Sequence, residues 1–299
     1  MREAKQSPFH LQSCGRSFRY DLDYRYAVSQ RVPACNNWGR MTKPININGS
    51  PYVEEGNGFM HALEYFQQIY VINLPHRHDR RREMIEQLNA IGLSFDMTYV
   101  RLFEAVRPEA SEGFPSIGAR GCFLSHLGIL RDACDRRFER ILILEDDLNF
   151  APDLNARIGN TVAELEKTDW SLFYGGYVAN SLPQPEGTGG VVQLESTDLL
   201  STTHFVGFRG PAVSEVVTYL ENILSRPPGD PDGGPMQVDG AYYRFRRQFP
   251  AKITLASVPM LGYQRNSRTD IHSLRWFDRV PGIHQGVAWV RKMRNLAKR

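Results

Sequence analysis

Along the 299 residues the apolar positions switch between strand-like runs and helical spacing. Four consecutive aliphatics, Ile141 to Leu144, predict a strand apolar on both sides, and such a strand belongs inside a parallel or mixed sheet. Upstream, Ile69-Tyr70-Val71-Ile72-Asn73-Leu74 predicts another strand. After it Met84, Ile85, Leu88 and Ile91 recur at helical spacing until Gly92 ends the pattern. Phe95 to Phe103 then reads as a second strand, giving the strand, helix, strand order that opens an α/β sheet. From Gly118 to Arg140 a further helix carries Phe123, Leu127, Leu130, Cys134 and Phe138 on one face. Strands follow over Trp170 to Tyr177, Thr202 to Phe208 and Ile253 to Val258, with a helix over Pro211 to Leu224 and a helix start near Asp239.

Other stretches lack this order. Residues 1–62 show no sustained period, yet Phe18, Tyr20, Tyr24, Tyr26 and Trp38 argue for an extension packed on the following domain. Asn180 to Gly190 and Arg226 to Pro235 are rich in Pro and Gly and read as loops; the first suits either a lid or an inert insertion. The expected organisation is an extension at 1–62, one α/β domain at 63–275 and a basic tail at 276–299.

Composition narrows the class. With 41% hydrophobic and 23% charged residues the chain is neither disordered nor membrane-embedded, and no apolar run reaches the eighteen or so residues of a span. The amino terminus lacks the apolar core of a signal peptide. Cys14, Cys35, Cys122 and Cys134 have no metal-knuckle spacing, and Cys122 and Cys134 fit as small hydrophobes in a helix. A reducing, cytoplasmic setting is expected, a Cys14–Cys35 disulfide being the alternative. Net charge is +3, but from Arg265 onward nine basic residues face two acidic ones, a local balance of +7. Such a tail suits contact with an anionic membrane surface or, more plainly, a solvated helix face; nothing calls for a nucleic-acid partner.

Candidate chemistry gathers where the aliphatic strand ends in Glu145-Asp146-Asp147. Carboxylates crowded at a buried strand end lose hydration and repel one another, so a cation or another partner must compensate them. If the chain stays extended, Glu145 and Asp147 share a face while Asp146 points away. Oxygen donors of this kind favour Mg²⁺ or Mn²⁺, which usually bridge to phosphates; the plainer alternative is a solvated acidic turn. Ligands of open α/β sheets collect beyond the carboxyl ends of strands, where Asn73, Arg77 and Arg80 leave the first one. Arginine forks there suit a phosphate or a base. Gly118 and Gly121 let a helix amino end approach an anion. His126, in what reads as the opening of that helix, is open between packing and chemistry. The pair Gly175-Gly176 leaves room at a strand end.

Three segments in this order, Ile69 to Leu74 with Arg77 and Arg80, Gly121-Cys122-Phe123-Leu124-Ser125-His126, and Ile143 to Asp147, resemble glycosyltransferase family 25, which includes bacterial lipooligosaccharide galactosyltransferases and animal collagen galactosyltransferase domains. The resemblance runs from about Gln68 to Ile271. It implies a GT-A type, Rossmann-like mixed sheet flanked by helices, a UDP-sugar donor, Mn²⁺ or Mg²⁺, and inversion at the anomeric carbon. It assigns Glu145 and Asp147 to the ion, with His272, Asp270 or His204 closing its shell. It places Asn73, Leu74, Arg77, Ser125, Glu145 and Asp146 beside the donor, with Gly175 and Gly176 at its sugar. Asp239, which follows the second loop, becomes the candidate base for a glycan or glycoconjugate hydroxyl; as a helix N-cap it has an equally good structural reason to be there. Ala119-Arg120 stand where the family often has an acidic-aliphatic pair, and Arg120 is read either as a phosphate contact of the donor or as a surface substitution.

Overall fold

A computed structural model describes residues 51–55, 58–179, 182 and 190–265. His272, Asp270, the tail 276–299, Cys14, Cys35 and most of the Asn180–Gly190 stretch lie outside the described residues. A hairpin of β1 (Tyr52–Glu55) and β2 (Gly58–His61) opens the described part, followed by a 3-10 turn at Ala62–Tyr65. Then come β3 (Gln68–Asn73), α1 (His78–Ala90), β4 (Val100–Glu104), α2 (Ile117–Asp135), β5 (Arg140–Glu145), β6 (Leu148–Phe150) and α3 (Leu154–Glu166). The remainder is β7 (Leu172–Val178), β8 (Gly190–Leu194), β9 (Ser201–Arg209), α4 (Ala212–Ser225), α5 (Val238–Gln248), β10 (Thr254–Val258) and β11 (Gly262–Gln264).

Seven strands form one mixed sheet in the order β4-β3-β5-β9-β7-β10-β8. The aliphatic run sits near its middle: β5 pairs in parallel with β3 and antiparallel with β9. Alternation explains why all four aliphatics are needed. Ile141 and Ile143 face a core shared with α2, α4 and α5, whereas Leu142 and Leu144 face one shared with α1 and α3. The same split holds in β3, where Tyr70 and Ile72 face one side and Ile69 and Val71 the other. Full burial of each such side chain stabilises the sheet by about 1.5–3 kcal/mol. Leu63 and Phe66, in and just after the 3-10 turn, are wholly buried in the second core, and the buried His61 ring bonds the Ile91 carbonyl at 2.8 Å.

This order brings one edge together. β3, β4, β5, β7 and β10 all run the same way, so their carboxyl ends meet the amino end of the reversed β9. A small antiparallel pair, β6 with β11, lies just beyond Glu145. Among the described residues no helix is long and apolar enough to cross a membrane.

Candidate active site at the carboxyl edge of the sheet

β5 stops at Glu145, and Asp146-Asp147 form a turn into β6. The expected alternation therefore fails, because the chain leaves the extended conformation before the second acid. Each acid instead has its own set of partners. Glu145 accepts from Thr203 Oγ1 at 2.7 Å, and His126 Nε2 lies 3.6 Å from the same carboxylate. Burial works against its charge, but the His126 contact, Thr203 and the nearby His204 outweigh it and hold its pKa below the ordinary value. Asp146 accepts from Arg80 Nη1 at 2.7 Å and from Asn73 Nδ2 at 2.8 Å. Among the described residues Asp147 accepts only a long bond from Gln264 Nε2 at 3.2 Å, with Arg80 at 3.6 Å, and its buried Oδ1 has no hydrogen-bond partner. Burial, and after it the Glu145 charge, push its pKa up to about 7.

The backbone of the acidic turn is clamped from the far end of the domain. Arg265 N–H donates to the Asp147 carbonyl at 2.6 Å, and its guanidinium donates to the Asp146 and Leu148 carbonyls at 3.2 Å. Nothing in the local pattern of either segment announces this contact.

Two cavities flank Glu145. The larger, about 260 Å³, is lined by Ile72, Leu74, Arg80, Val106, Arg107, Gly118, Gly121, Cys122, Ser125, Glu145 and Asp146 among others. The amino end of α2 opens onto it, capped by Ser116, whose Oγ accepts the Ala119 N–H at 2.9 Å. Exposed N–H groups there, with Arg107, make an anion-receptive wall. A Cβ on Gly121 would come within 2.6 Å of the Val106 carbonyl, so only glycine lets the loop after β4 lie this close to α2. Ser125 fixes that approach by accepting the Val106 N–H at 2.8 Å and donating to the Gly121 carbonyl at 2.7 Å. The second cavity, about 100 Å³, is lined by Ala119, Cys122, Glu145, Thr202, Thr203, Gln237, Val238, Asp239 and Gln264. Cys122 and Glu145 belong to both walls.

Asp239 lies in the first turn of α5, where Oδ1 accepts the Gly240 N–H at 2.8 Å and Oδ2 accepts the Thr202 N–H at 3.1 Å. Thr202 has φ +69°, a conformation that a β-branched residue adopts only under constraint. Asp239 is thus both a helix-end acceptor and a cavity wall.

Several expected roles do not match the geometry. Gly175 and Gly176 leave no room for a sugar, since a Cβ on them would meet the Phe205 ring at 2.5 Å and His204 Nε2 at 2.4 Å: the space is filled by the neighbouring strands. Arg120 turns away from the larger cavity to the Ala110 carbonyl and to Glu112, at 2.8 and 2.5 Å. Arg77 chelates Asp79 at 2.9 and 3.0 Å, which holds that carboxyl well below its usual range. Asn73 stands behind the site as a support for Asp146. His204 is fully buried, with Nδ1 2.9 Å from Thr202 Oγ1, and lines neither cavity. Leu74, Ser125, Glu145 and Asp146 do line the larger cavity. His126 lies in the body of α2, not its opening, with Nδ1 3.0 Å from Tyr242 Oη. Cys122, read as a core residue, proves to be a cavity wall, and Thr203 and Gln264 bear on the acids without any sequence signal beyond their place at strand ends.

This edge, with its acidic turn and its helix amino end, falls within a stretch of the chain that has known counterparts. Residues 66–186 match the family model of glycosyltransferase family 25 (LPS biosynthesis protein). The matched segment takes in β3 through β7, hence the acids and the larger cavity, while Thr203, Asp239 and Gln264 come from outside it. Procollagen galactosyltransferase 1-B of Xenopus laevis is 31% identical over 139 residues, covering 40% of this chain and 23% of that protein. Inactive glycosyltransferase 25 family member 3 of Homo sapiens is 29% identical over 127 residues, covering 36% of this chain and 21% of the relative. The matches thus span less than a quarter of these relatives' length. The crystal structure of a glycosyltransferase involved in glycosylation of the major capsid of PBCV-1 covers 68% of this chain and 93% of its own, at 12% identity and TM-score 0.42.

Proposed function

We propose that this protein is a metal-dependent inverting glycosyltransferase that transfers a hexose, galactose from UDP-galactose, to a hydroxyl of a glycan or glycoconjugate such as a lipooligosaccharide. The observation that carries this reading is the pair of cavities meeting at Glu145 and Cys122, one with an anion-receptive helix end, the other with a carboxylate, Asp239. A donor and an acceptor need such adjacent sites, with the reacting carbon at their junction.

The acids suit a hard divalent cation. Asp147 keeps a buried oxygen without a partner, and burial beside Glu145 raises its pKa, which is the state of a carboxylate lacking a counter-charge. Asp147 and Glu145 would hold Mn²⁺ or Mg²⁺, which when bound offsets the negative charge gathering on a departing diphosphate. The chain's own groups do the rest. Arg80 and Asn73 lock Asp146 and so fix the turn. The α2 amino end and Arg107 receive the diphosphate side of the donor. Asp239 takes the proton from the attacking hydroxyl on the face opposite the leaving group. The basic tail at 276–299 would keep the enzyme at the inner face of an anionic membrane, where lipid-linked acceptors are made.

The test is a panel of UDP- and GDP-sugars, with and without Mn²⁺, assayed first for protection against heat unfolding and then for nucleotide release. Mn²⁺-dependent UDP release only with a sugar acceptor supports transfer. Release into water marks a nucleotide-sugar hydrolase, and neither protection nor release with any donor leaves a noncatalytic binding protein.

A further inference from the structure

Cys122 and His126 stand one turn apart on the same face of α2, and Glu145 meets them from the end of β5. A Cys Sγ, a His ring nitrogen and a carboxylate oxygen, one from each, all lie within 4.8 Å of one another. His126 is wholly buried, and among the described residues its Nε2 has no hydrogen-bond partner although it points at Glu145 Oε1 across 3.6 Å. That gap is too long for a hydrogen bond. It is close to the spacing of a nitrogen and an oxygen ligand on one tetrahedral zinc, about 3.3–3.6 Å for bonds of about 2.0–2.2 Å. Two of the three ligands are also oriented from behind. Tyr242 Oη engages His126 Nδ1 at 3.0 Å, and Thr203 Oγ1 donates to Glu145 at 2.7 Å, the outer contacts that metal-bound imidazole and carboxylate groups typically keep. Four carboxylates, Glu145, Asp239, Asp147 and Asp146, bear on the Cys122 thiol, a field that draws cations.

We propose that Cys122, His126 and Glu145 form a second cation site, for a thiophilic divalent ion of the zinc class, with its open position toward the junction of the two cavities. The donor set selects the metal. Sulfur with imidazole nitrogen favours Zn²⁺ or Co²⁺ over the Mg²⁺ and Mn²⁺ that an oxygen-only site such as Asp147 would take. On binding, the thiol releases its proton to solvent and the sulfur bonds the metal as thiolate. The site does not depend on the transferase reading, although it shares Glu145 with it.

The full chain, stripped of metal and kept reduced, is titrated with Co²⁺. The expected result is a near-ultraviolet sulfur-to-cobalt charge-transfer band that saturates at one ion per chain and is bleached by Zn²⁺. Cys122→Ser should abolish the band. Tyr242→Phe, which keeps the ring but removes the hydroxyl on Nδ1, should weaken Co²⁺ binding by about 10–100-fold. Far-UV circular dichroism checks that each variant is folded; should Cys122→Ser fail that check, His126→Gln, expected to weaken binding at least about tenfold, replaces it. No band in the wild-type chain, or a band undiminished in the folded Cys122 or His126 variant, overturns the proposal. Asp147→Ala separates the two sites: it removes the oxygen-only ion site and should leave the sulfur band in place.

Discussion

Arg80 Nη1 lies 2.7 Å from Asp146 Oδ1, and both side chains are 9% exposed. The sequence puts them 66 residues apart, one in the first turn of α1 and the other beyond the end of β5. Parallel pairing of β3 with β5 is what brings the two carboxyl ends side by side. Arg80 thus reaches the carboxylates of both Asp146 and Asp147, while Arg265 holds the backbone of the same turn. The Asp146 contact also explains Arg80 in the first turn of α1, since positive charge at a helix amino end is otherwise unfavourable.

Removing that guanidinium should be costly. Arg80→Met leaves Asp146 with Asn73 alone and takes the cation 3.6 Å from Asp147 away. Breaking a buried pair by deleting one partner destabilises by about 3–5 kcal/mol. Urea unfolding of the variant should show a loss of that order, and adding Asp146→Leu should recover much of it. A loss below about 1 kcal/mol would mean that water already screens the pair.

Asp147 predicts a pH dependence with a definite sign. Its folded pKa is raised from 3.8 to about 7, so between those values the native state holds a proton that the unfolded chain has released. Stability of the metal-free protein should therefore fall as pH rises from about 4 to about 7 and then level off. Asp147→Asn should remove this slope, so that the variant gains on the wild type by a few kcal/mol at pH 8, on the order of 1.4 kcal/mol per pKa unit, and by little at pH 4. Parallel stability curves for the two proteins across this window would place the group elsewhere. Mn²⁺ should raise the melting temperature more at pH 8 than at pH 5, because it must displace the proton at the lower pH.

Much of the frame was legible in the chain because the strands are apolar on both faces. β3, β5, β7 and β9 fall where unbroken runs such as Ile141 to Leu144 predict them. α1 and α2 follow the spacing of Met84 with Leu88 and of Phe123 with Leu127 and Leu130. α3 is less legible although Leu154, Ile158, Val162 and Leu165 have helical spacing, since Asn155, Gly159, Asn160 and Thr161 lower its local propensity. Its helicity comes from burial against the second core. Side-chain direction was harder to read than element type. The acids stood out by composition, yet which of them faces which partner depends on a turn after Glu145 that three carboxylates in a row do not specify. Gly175-Gly176 looked like space for a ligand, but glycine in a strand equally marks close approach of another chain segment, and here Phe205 and His204 take it.

That close approach is itself testable. In Gly176→Ala the new Cβ would lie 2.4 Å from His204 Nε2 and 2.6 Å from the Gly262 carbonyl, in a fully buried part of β7. Neither neighbour can give way cheaply, so a loss of about 1–3 kcal/mol is expected in thermal or urea unfolding. Gly262 begins β11, whose Gln264 bonds Asp147, so the variant should also weaken Mn²⁺ protection against heat. A variant as stable as the wild type would show that β7 and β11 are less closely apposed than described.

Asp239 is the residue at which structure and chemistry must be separated, because its carboxylate holds the Gly240 and Thr202 N–H groups and also lines the smaller cavity. Asp239→Asn keeps one carbonyl oxygen as acceptor, so its cost to stability should stay near or below about 1 kcal/mol, whereas Asp239→Ala loses both bonds and frees the Thr202 backbone to relax from φ +69°, at about 1–2 kcal/mol. If the carboxylate is the proton acceptor, Asn is as damaging as Ala to turnover, since neither can take a proton, and kcat should fall by about 10²–10⁴ in both. Donor affinity, read from heat protection by UDP-sugar with Mn²⁺, should be unchanged in Asp239→Asn because the larger cavity does not include this residue. A purely structural role predicts the opposite ranking, with Asn close to wild type in turnover and Ala impaired in step with its stability. The pair of variants measured together therefore assigns the role of Asp239, and full activity in Asp239→Asn would remove it as the base.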